Sequence, residues 1–121
     1  MTIRRVVPNV ASDDTALSRA FYEDFLGLKQ AMNLGWIATY VSPTNPTAQV
    51  SVVRRTEPGA PLITLSVEVD DVDQVYGDAV TRGLDIVFPL TDEPWGVRRF
   101  FVRDPDGVLI NVLTHLSGAS K

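Results

Sequence analysis

Few side chains in this sequence could carry out acid–base, nucleophilic or metal chemistry. The chain has 121 residues, no cysteine and a single histidine, His115. The lack of cysteine excludes disulfides, thiolate metal sites and cysteine nucleophiles. One histidine excludes a metal site built from two or three histidines of one chain, and any Ser-His-Asp triad would have to use His115. This imidazole could serve acid–base catalysis, or it could be an ordinary histidine at a strand end.

Aromatic side chains could instead bind a planar ligand. Trp36 and Tyr40 are four positions apart on one predicted strand, so they point to the same side. They could stack on a ligand or belong to the core. Trp95 stands between Pro94 and Gly96, on a predicted loop at the mouth of a strand. It could line the rim of a binding site or close the end of the fold.

Two polar residues could anchor such a ligand. Arg98 follows the tryptophan loop, and a guanidinium suits stacking or carboxylate binding. Arg98 and Arg99 are adjacent on a predicted strand, so they point to opposite faces and one is expected on the solvated surface. Asn111 lies between Ile110 and Val112; if those neighbours face the helices, its amide faces the other side. The alternative is a buried amide whose hydrogen bonds are satisfied.

The carboxylates form no obvious catalytic pair. Those at positions 13, 14, 70, 71 and 73 are typical of residues that cap helix N-termini. Those at 104 and 106 suit a tight turn. Glu68 differs because it lies in the middle of a predicted strand.

Two helices and several strands must position these residues. N-cap residues and helical spacing predict one helix after Asp14, and a clear amphipathic pattern predicts another over 72–80. Valine-rich or alternating runs predict strands at 3–10, 28–34, 36–41, 48–54, 62–69, 86–90, 97–103 and 108–114.

The two halves of the chain have similar patterns. Each predicts a strand, a helix and then two or three strands, and positions 22–28 resemble positions 76–84. This repeat predicts an α+β fold of two βαβββ modules, about 3–56 and 62–116, within a single domain spanning 1–121. The stretch 57–61 is then a short connector inside that domain.

Several motifs in order carry a family resemblance. They are Asp14, Phe21-Tyr22-x-x-x-Leu26-Gly27-Leu28, Val69-Asp70-Asp71-Val72-Asp73, Gly83 and Phe100-x-x-x-Asp104-Pro105-Asp106-Gly107. Over residues 3–116 the sequence resembles the glyoxalase/bleomycin-resistance/dioxygenase family, the vicinal oxygen chelate superfamily. The resemblance implies two βαβββ modules forming a curved, half-open barrel. It also implies a homodimer with a ligand site in the concavity or at the dimer interface, and it leaves open whether modules pair within one chain or between two.

The resemblance also implies where a metal would bind. The positions that hold metal ligands in metal-dependent members are occupied here by Val7, Thr64 and Asn111. Valine offers no donor atom, and threonine and asparagine are weak neutral ligands. We therefore expect no metal and no other cofactor. Such a departure is typical of family members that sequester a drug without transforming it.

These observations predict a metal-free protein that sequesters a bulky, partly aromatic small molecule, such as an antibiotic, in an aromatic-lined groove. The predicted ligand-binding residues are Trp36, Tyr40, Trp95, Arg98, Asn111 and His115. The alternative is a lyase, isomerase or dioxygenase of the same superfamily that uses His115, a carboxylate or a metal bound elsewhere. A third hypothesis is a small regulatory or interaction protein without a ligand.

Composition argues against other partners. Hydrophobic residues make up 45% and charged residues 21%, which is ordinary for a globular protein. No apolar run is long enough to cross a membrane. The net charge is −4 and the arginines form no basic patch, so nucleic acid is not an expected partner. The absence of cysteine fits a reducing compartment, and we expect a cytoplasmic protein.

Overall fold

The computed structural model describes residues 1–55 and 62–116. In chain order the elements are β1 (Ile3–Ser12), α1 (Thr15–Arg19), β2 (Lys29–Asn33), β3 (Ile37–Val41), β4 (Gln49–Arg54), β5 (Leu65–Val69), α2 (Val72–Thr81), β6 (Ile86–Asp92), β7 (Val97–Arg103) and β8 (Leu109–His115). Helix α1 continues as a wider π-helical segment, Ala20–Phe25. The predicted connector at 57–61 lies outside the described residues.

Contacts divide the chain into two compact units. The first unit is Val7–Leu62, and the second unit is Met1–Val6 together with Ile63–Lys121. Strand β1 therefore contributes its first residues to the second unit and the rest to the first.

In the first unit the strands lie in the order β2-β3-β4-β1. Strands β1 and β4 are parallel, with Asn9 opposite Ser51, and the other pairs are antiparallel. Helix α1 begins where the Asp14 carboxylate accepts hydrogen bonds from two backbone amides of the first turn. The core contains Ala38, Tyr40 and Val52, against which Tyr22, Leu28 and Val50 pack.

In the second unit the strands lie in the order β5-β8-β7-β6, with the same pairing pattern. Strands β5 and β8 are parallel, and the other pairs are antiparallel. Helix α2 begins at Asp71, whose carboxylate accepts from the Gln74 amide. The core lies between helix α2 and the sheet. It contains five buried side chains, those of Val69, Val72, Ala79, Phe100 and Val112.

The predicted α+β class and the repeat of strand, helix and three strands are confirmed. In each unit the last strand returns parallel to the first, which the local sequence pattern does not specify. The parallel pairs also place polar residues at matching points: Asn9 opposite Ser51 in the first unit, and Ser66 opposite Asn111 in the second.

The turn before β8 depends on a glycine. Gly107 has a φ of +86°, and the Asp104 carboxylate accepts from the backbone amides of Asp106 and Val108. Gly107→Ala is expected to destabilise the fold by about 1–2 kcal/mol, because an added Cβ is strained at positive φ. Gly77→Ala is the matched control: both sites have open space for a Cβ, but Gly77 lies in α2 with no positive φ. The Gly77→Ala substitution should stabilise the fold by about 0.5–1 kcal/mol. Urea unfolding measures both changes, and a shift of the same sign in the two variants would contradict this account.

Candidate functional site

Strand alternation gives the sheet of the second unit two different faces. Val67 and Val69 on β5, like Ile110 and Val112 on β8, pack toward α2. Their neighbours therefore point to the opposite side, which we call the far face. The far face includes Ser66, Glu68, Phe88, Arg99, Phe101, Asn111, Leu113 and His115. We count with it Trp95, whose ring contacts Arg99.

Glu68 is the central carboxylate of the far face. Its Oε1 accepts a hydrogen bond from Arg5 Nε at 2.5 Å, and its Oε2 lies 2.9 Å from His115 Nδ1. Burial on its own raises the pKa of Glu68, but the His115 hydrogen bond and the Arg5 charge outweigh it, so the pKa lies below its ordinary value of 4.5. An ionised carboxylate only accepts, so His115 donates through Nδ1–H. In the neutral imidazole, Nε2 is then left as an acceptor.

The lowered pKa of Glu68 makes stability depend on pH. The folded protein holds this carboxylate ionised at a lower pH than the unfolded chain does. Its contribution is therefore present above pH 4.5 and is lost as the pH falls through the folded-state value. Glu68→Gln should lower stability at pH 7 and flatten the decline between pH 5 and pH 3. Free energies of unfolding in urea across that range test this, and parallel profiles for the two proteins would contradict it.

A second cluster surrounds Arg99 on β7. Its guanidinium donates to the Glu93 carboxylate, with Nε and Nη2 at 2.7 and 2.6 Å from Oε2. The guanidinium carbon lies 4.7 Å from the ring centre of Phe101, 4.9 Å from that of Trp95 and 5.7 Å from that of Phe88. These distances suit cation–π contacts. Trp95, which belongs to this cluster, is 37% exposed, so a ligand could stack on its ring.

Asn111 lies directly across the ladder from Phe101. The residue is 9% exposed, and its Nδ2 donates to Ser66 Oγ at 3.2 Å. Within the described parts of the chain, Asn111 Oδ1 is buried and has no hydrogen-bond partner. A buried acceptor without a donor costs about 1–3 kcal/mol, so this amide is a polar group that the surrounding fold does not satisfy.

Arg98 lies on the other side of the sheet. Its guanidinium donates to Asp92 at 2.6 and 3.1 Å and to Asp73 of α2 at 3.1 Å. The Arg98 hydrogen bonds lower the pKa of Asp92. Of the two adjacent arginines, the structure therefore brings Arg99 to the far face, although the predicted anchor is Arg98. The turn at 104–107 sets this register, since it places Phe101 opposite Asn111 and Arg99 opposite Leu113.

The other two predicted aromatic residues belong to the first unit. Tyr40 is 1% exposed, and its ring stacks on Tyr22 with the centres 5.8 Å apart. Trp36 is half-buried and precedes β3, where its carbonyl accepts from the Arg54 amide at 2.8 Å. Tyr40 thus contributes to the core beside α1, and a stacking surface shared by Trp36 and Tyr40 remains a prediction.

The positions implied for a metal do not offer a suitable donor set. Val7 is buried and has no donor atom, Thr64 is exposed, and Asn111 already donates to Ser66. Across residues 1–55 and 62–116, no three His, Asp or Glu side chains are grouped so that they could hold a metal ion. Valine, threonine and asparagine do not fit a divalent catalytic metal.

Comparison with known proteins places this fold in one family. A family model described as the Glyoxalase/Bleomycin resistance protein/Dioxygenase superfamily matches residues 3–112. No curated protein matches the sequence significantly. Among the described helices, none is long and apolar enough to cross a membrane.

Solved structures show the same fold at low sequence identity. A glyoxalase/bleomycin resistance protein/dioxygenase superfamily member from Vibrio splendidus has 20% identity and a TM-score of 0.71, covering 93% of this chain and 99% of its own. Methylmalonyl-CoA epimerase from Streptomyces coelicolor has 16% identity and a TM-score of 0.71, covering 94% and 99%. A protein described as NAD-dependent benzaldehyde dehydrogenase from Legionella pneumophila has 17% identity and a TM-score of 0.72, covering 91% and 98%. At these identities the likeness shows the fold alone.

Proposed function

Because this chain belongs to the glyoxalase/bleomycin resistance protein/dioxygenase superfamily, we propose that it binds a small molecule on the far face of its second unit and sequesters it without a metal ion. The observation that supports this most is the cluster of Arg99 with Trp95, Phe101 and Phe88. Ligand pockets typically combine aromatic walls with a few polar groups that fix orientation. Asn111, directly opposite Phe101 in the ladder, supplies such a group.

The chemistry of this surface selects a bulky, partly aromatic ligand, such as an antibiotic. An aromatic ring can stack on the exposed side of Trp95. Its polar substituents can reach the imidazole of His115. Arg5 and Arg99, the arginines that contact these side chains, are already paired with the carboxylates of Glu68 and Glu93. The surface therefore favours a ligand that is close to neutral over a strong anion.

We also propose that the protein is cytoplasmic and acts as a homodimer, and that it binds neither nucleic acid nor membranes. Light scattering of the purified protein tests the dimer. A mass of one chain, 13.3 kDa, would contradict it.

Tryptophan fluorescence tests ligand binding directly, because the chain has only two tryptophans. Trp36→Phe leaves Trp95 as the single reporter, and Trp95→Phe leaves Trp36. A panel of aromatic antibiotics is titrated against both variants and the wild type. We expect at least one compound to quench the wild type and Trp36→Phe saturably, with little effect on Trp95→Phe. Quenching that follows Trp36 alone, or none across the panel, would contradict binding at the far face.

The Glu68–His115 pair supports a second candidate, an isomerase or lyase that moves a proton without a metal. The Glu68 carboxylate accepts a hydrogen bond from His115 Nδ1–H. This bond orients the imidazole so that Nε2 can act as a base. Such an enzyme would exchange the acidic α-proton of a carbonyl substrate with solvent deuterium. His115→Gln should abolish this exchange, whereas it removes only one polar contact from sequestration and leaves the aromatic contacts in place. The same variant therefore separates the two candidates.

A further inference from the structure

The first unit contains a pocket that the proposed function does not use. It lies between the start of α1 and strands β2 and β3, and its volume is about 310 Å³. That is the lower end of the range for ligand pockets, roughly 300–1,000 Å³. Its walls include residues from all three elements, so the fold of the first unit shapes it.

Two polar side chains that line this pocket, those of Gln30 and Arg19, make long and therefore weak hydrogen bonds. Gln30 Nε2 donates to the Tyr40 hydroxyl at 3.4 Å, longer than the usual 2.7–3.2 Å. Arg19 contacts Glu23 through Nε alone, also at a long 3.3 Å. A guanidinium has five N–H donors, so four have no partner among the described residues and can serve a ligand.

The charge and polarity of the lining indicate the ligand class. Among the described residues that line the pocket, Arg19 is the cation and no carboxylate is present. The same walls include the apolar side chains of Ala16, Ile37 and Ala38. We propose that this pocket binds a small carboxylate with a short apolar body, with Arg19 as the donor to the carboxylate. Hydrogen bonds from a guanidinium to a carboxylate are charge-assisted, and they are stronger than hydrogen bonds between neutral groups.

Benzoate and its neutral analogue benzamide test this proposal on the full-length protein. Amide chemical shifts are followed by NMR while each probe is added. We expect benzoate to shift the amides of Gly35, Ile37 and Ala38 saturably, and benzamide to bind about tenfold more weakly. Arg19→Gln should weaken benzoate binding by about tenfold.

Arg82→Gln is the matched control. Like Arg19, Arg82 is an exposed arginine at the C-terminal end of a helix and pairs with a carboxylate four positions away, Asp78, but it belongs to the second unit. It should leave benzoate affinity unchanged. The proposal is overturned if benzoate gives no saturable shifts at the pocket amides, if benzamide binds equally well, or if Arg19→Gln and Arg82→Gln behave alike. Because the pocket and the far face belong to different units, this result is independent of the antibiotic titration.

Discussion

Replacing Arg99 with alanine is expected to lower the free energy of unfolding by about 3–5 kcal/mol. The side chains of Arg99 and Glu93 are 17% and 13% exposed, so the pair is largely shielded from water. Removing one partner leaves the Glu93 carboxylate buried without its counter-charge, which is the costly case for a buried ion pair. The substitution also removes the cation that three aromatic rings surround.

Arg98→Ala provides a control at the neighbouring position. Arg98 makes two salt bridges, but its partners Asp92 and Asp73 are exposed. Exposed pairs contribute little, so this variant should lose much less stability than Arg99→Ala. Urea denaturation measures both variants, and equal losses would contradict the assignment of Arg99 to a buried cluster.

A double substitution checks the reason for the Arg99 effect. If the loss comes from an unpaired carboxylate, Arg99→Met combined with Glu93→Leu should recover most of the stability, because no charge is left buried. If the double variant is as unstable as Arg99→Ala, the cost arises from packing instead.

Trp95→Ala is expected to have the largest effect on ligand affinity. A tryptophan at the centre of a binding surface commonly contributes about 2 kcal/mol or more, which corresponds to roughly a 30-fold weaker Kd. Trp95 is well placed for this because its ring centre lies 4.9 Å from the Arg99 guanidinium carbon while the residue is 37% exposed. Calorimetric titration with a compound that quenches the wild type measures the change.

Two variants make the Trp95 result specific. Trp95→Phe keeps an aromatic ring and should retain more affinity than Trp95→Ala. Trp36→Phe should leave the affinity within about twofold, because the ligand binds the second unit. A Trp95→Ala protein that is folded and binds as tightly as the wild type would remove the far face as the site.

Local sequence patterns predicted the elements of this fold well. The N-cap carboxylates of Asp14 and Asp71 accept the hydrogen bonds expected of them. The turn at 104–107 forms with glycine at positive φ. The internal repeat predicted the α+β class because two segments with the same apolar spacing must bury equivalent faces. The π-helical continuation of α1 was not predicted, since its spacing fits an α-helix equally well.

The site was harder to predict because it depends on contacts between distant segments. Arg5 and Glu68 are 63 positions apart, and Glu68 and His115 are 47 apart. No local pattern indicates these pairs. The choice between Arg98 and Arg99 could have been made from the turn at 104–107, which sets the register of β7 against β8. Tyr40 was ambiguous because a tyrosine on a strand suits a core and a groove equally.

We propose above all that this chain holds a small molecule unchanged and without a metal. Equilibrium dialysis of a quenching antibiotic against EDTA-treated protein tests this proposal, with mass spectrometry of the compound recovered from the protein. We expect saturable binding after EDTA treatment and recovery of the compound at its original mass. Loss of binding after EDTA treatment, or recovery of a chemically altered compound, would contradict it and favour an enzyme.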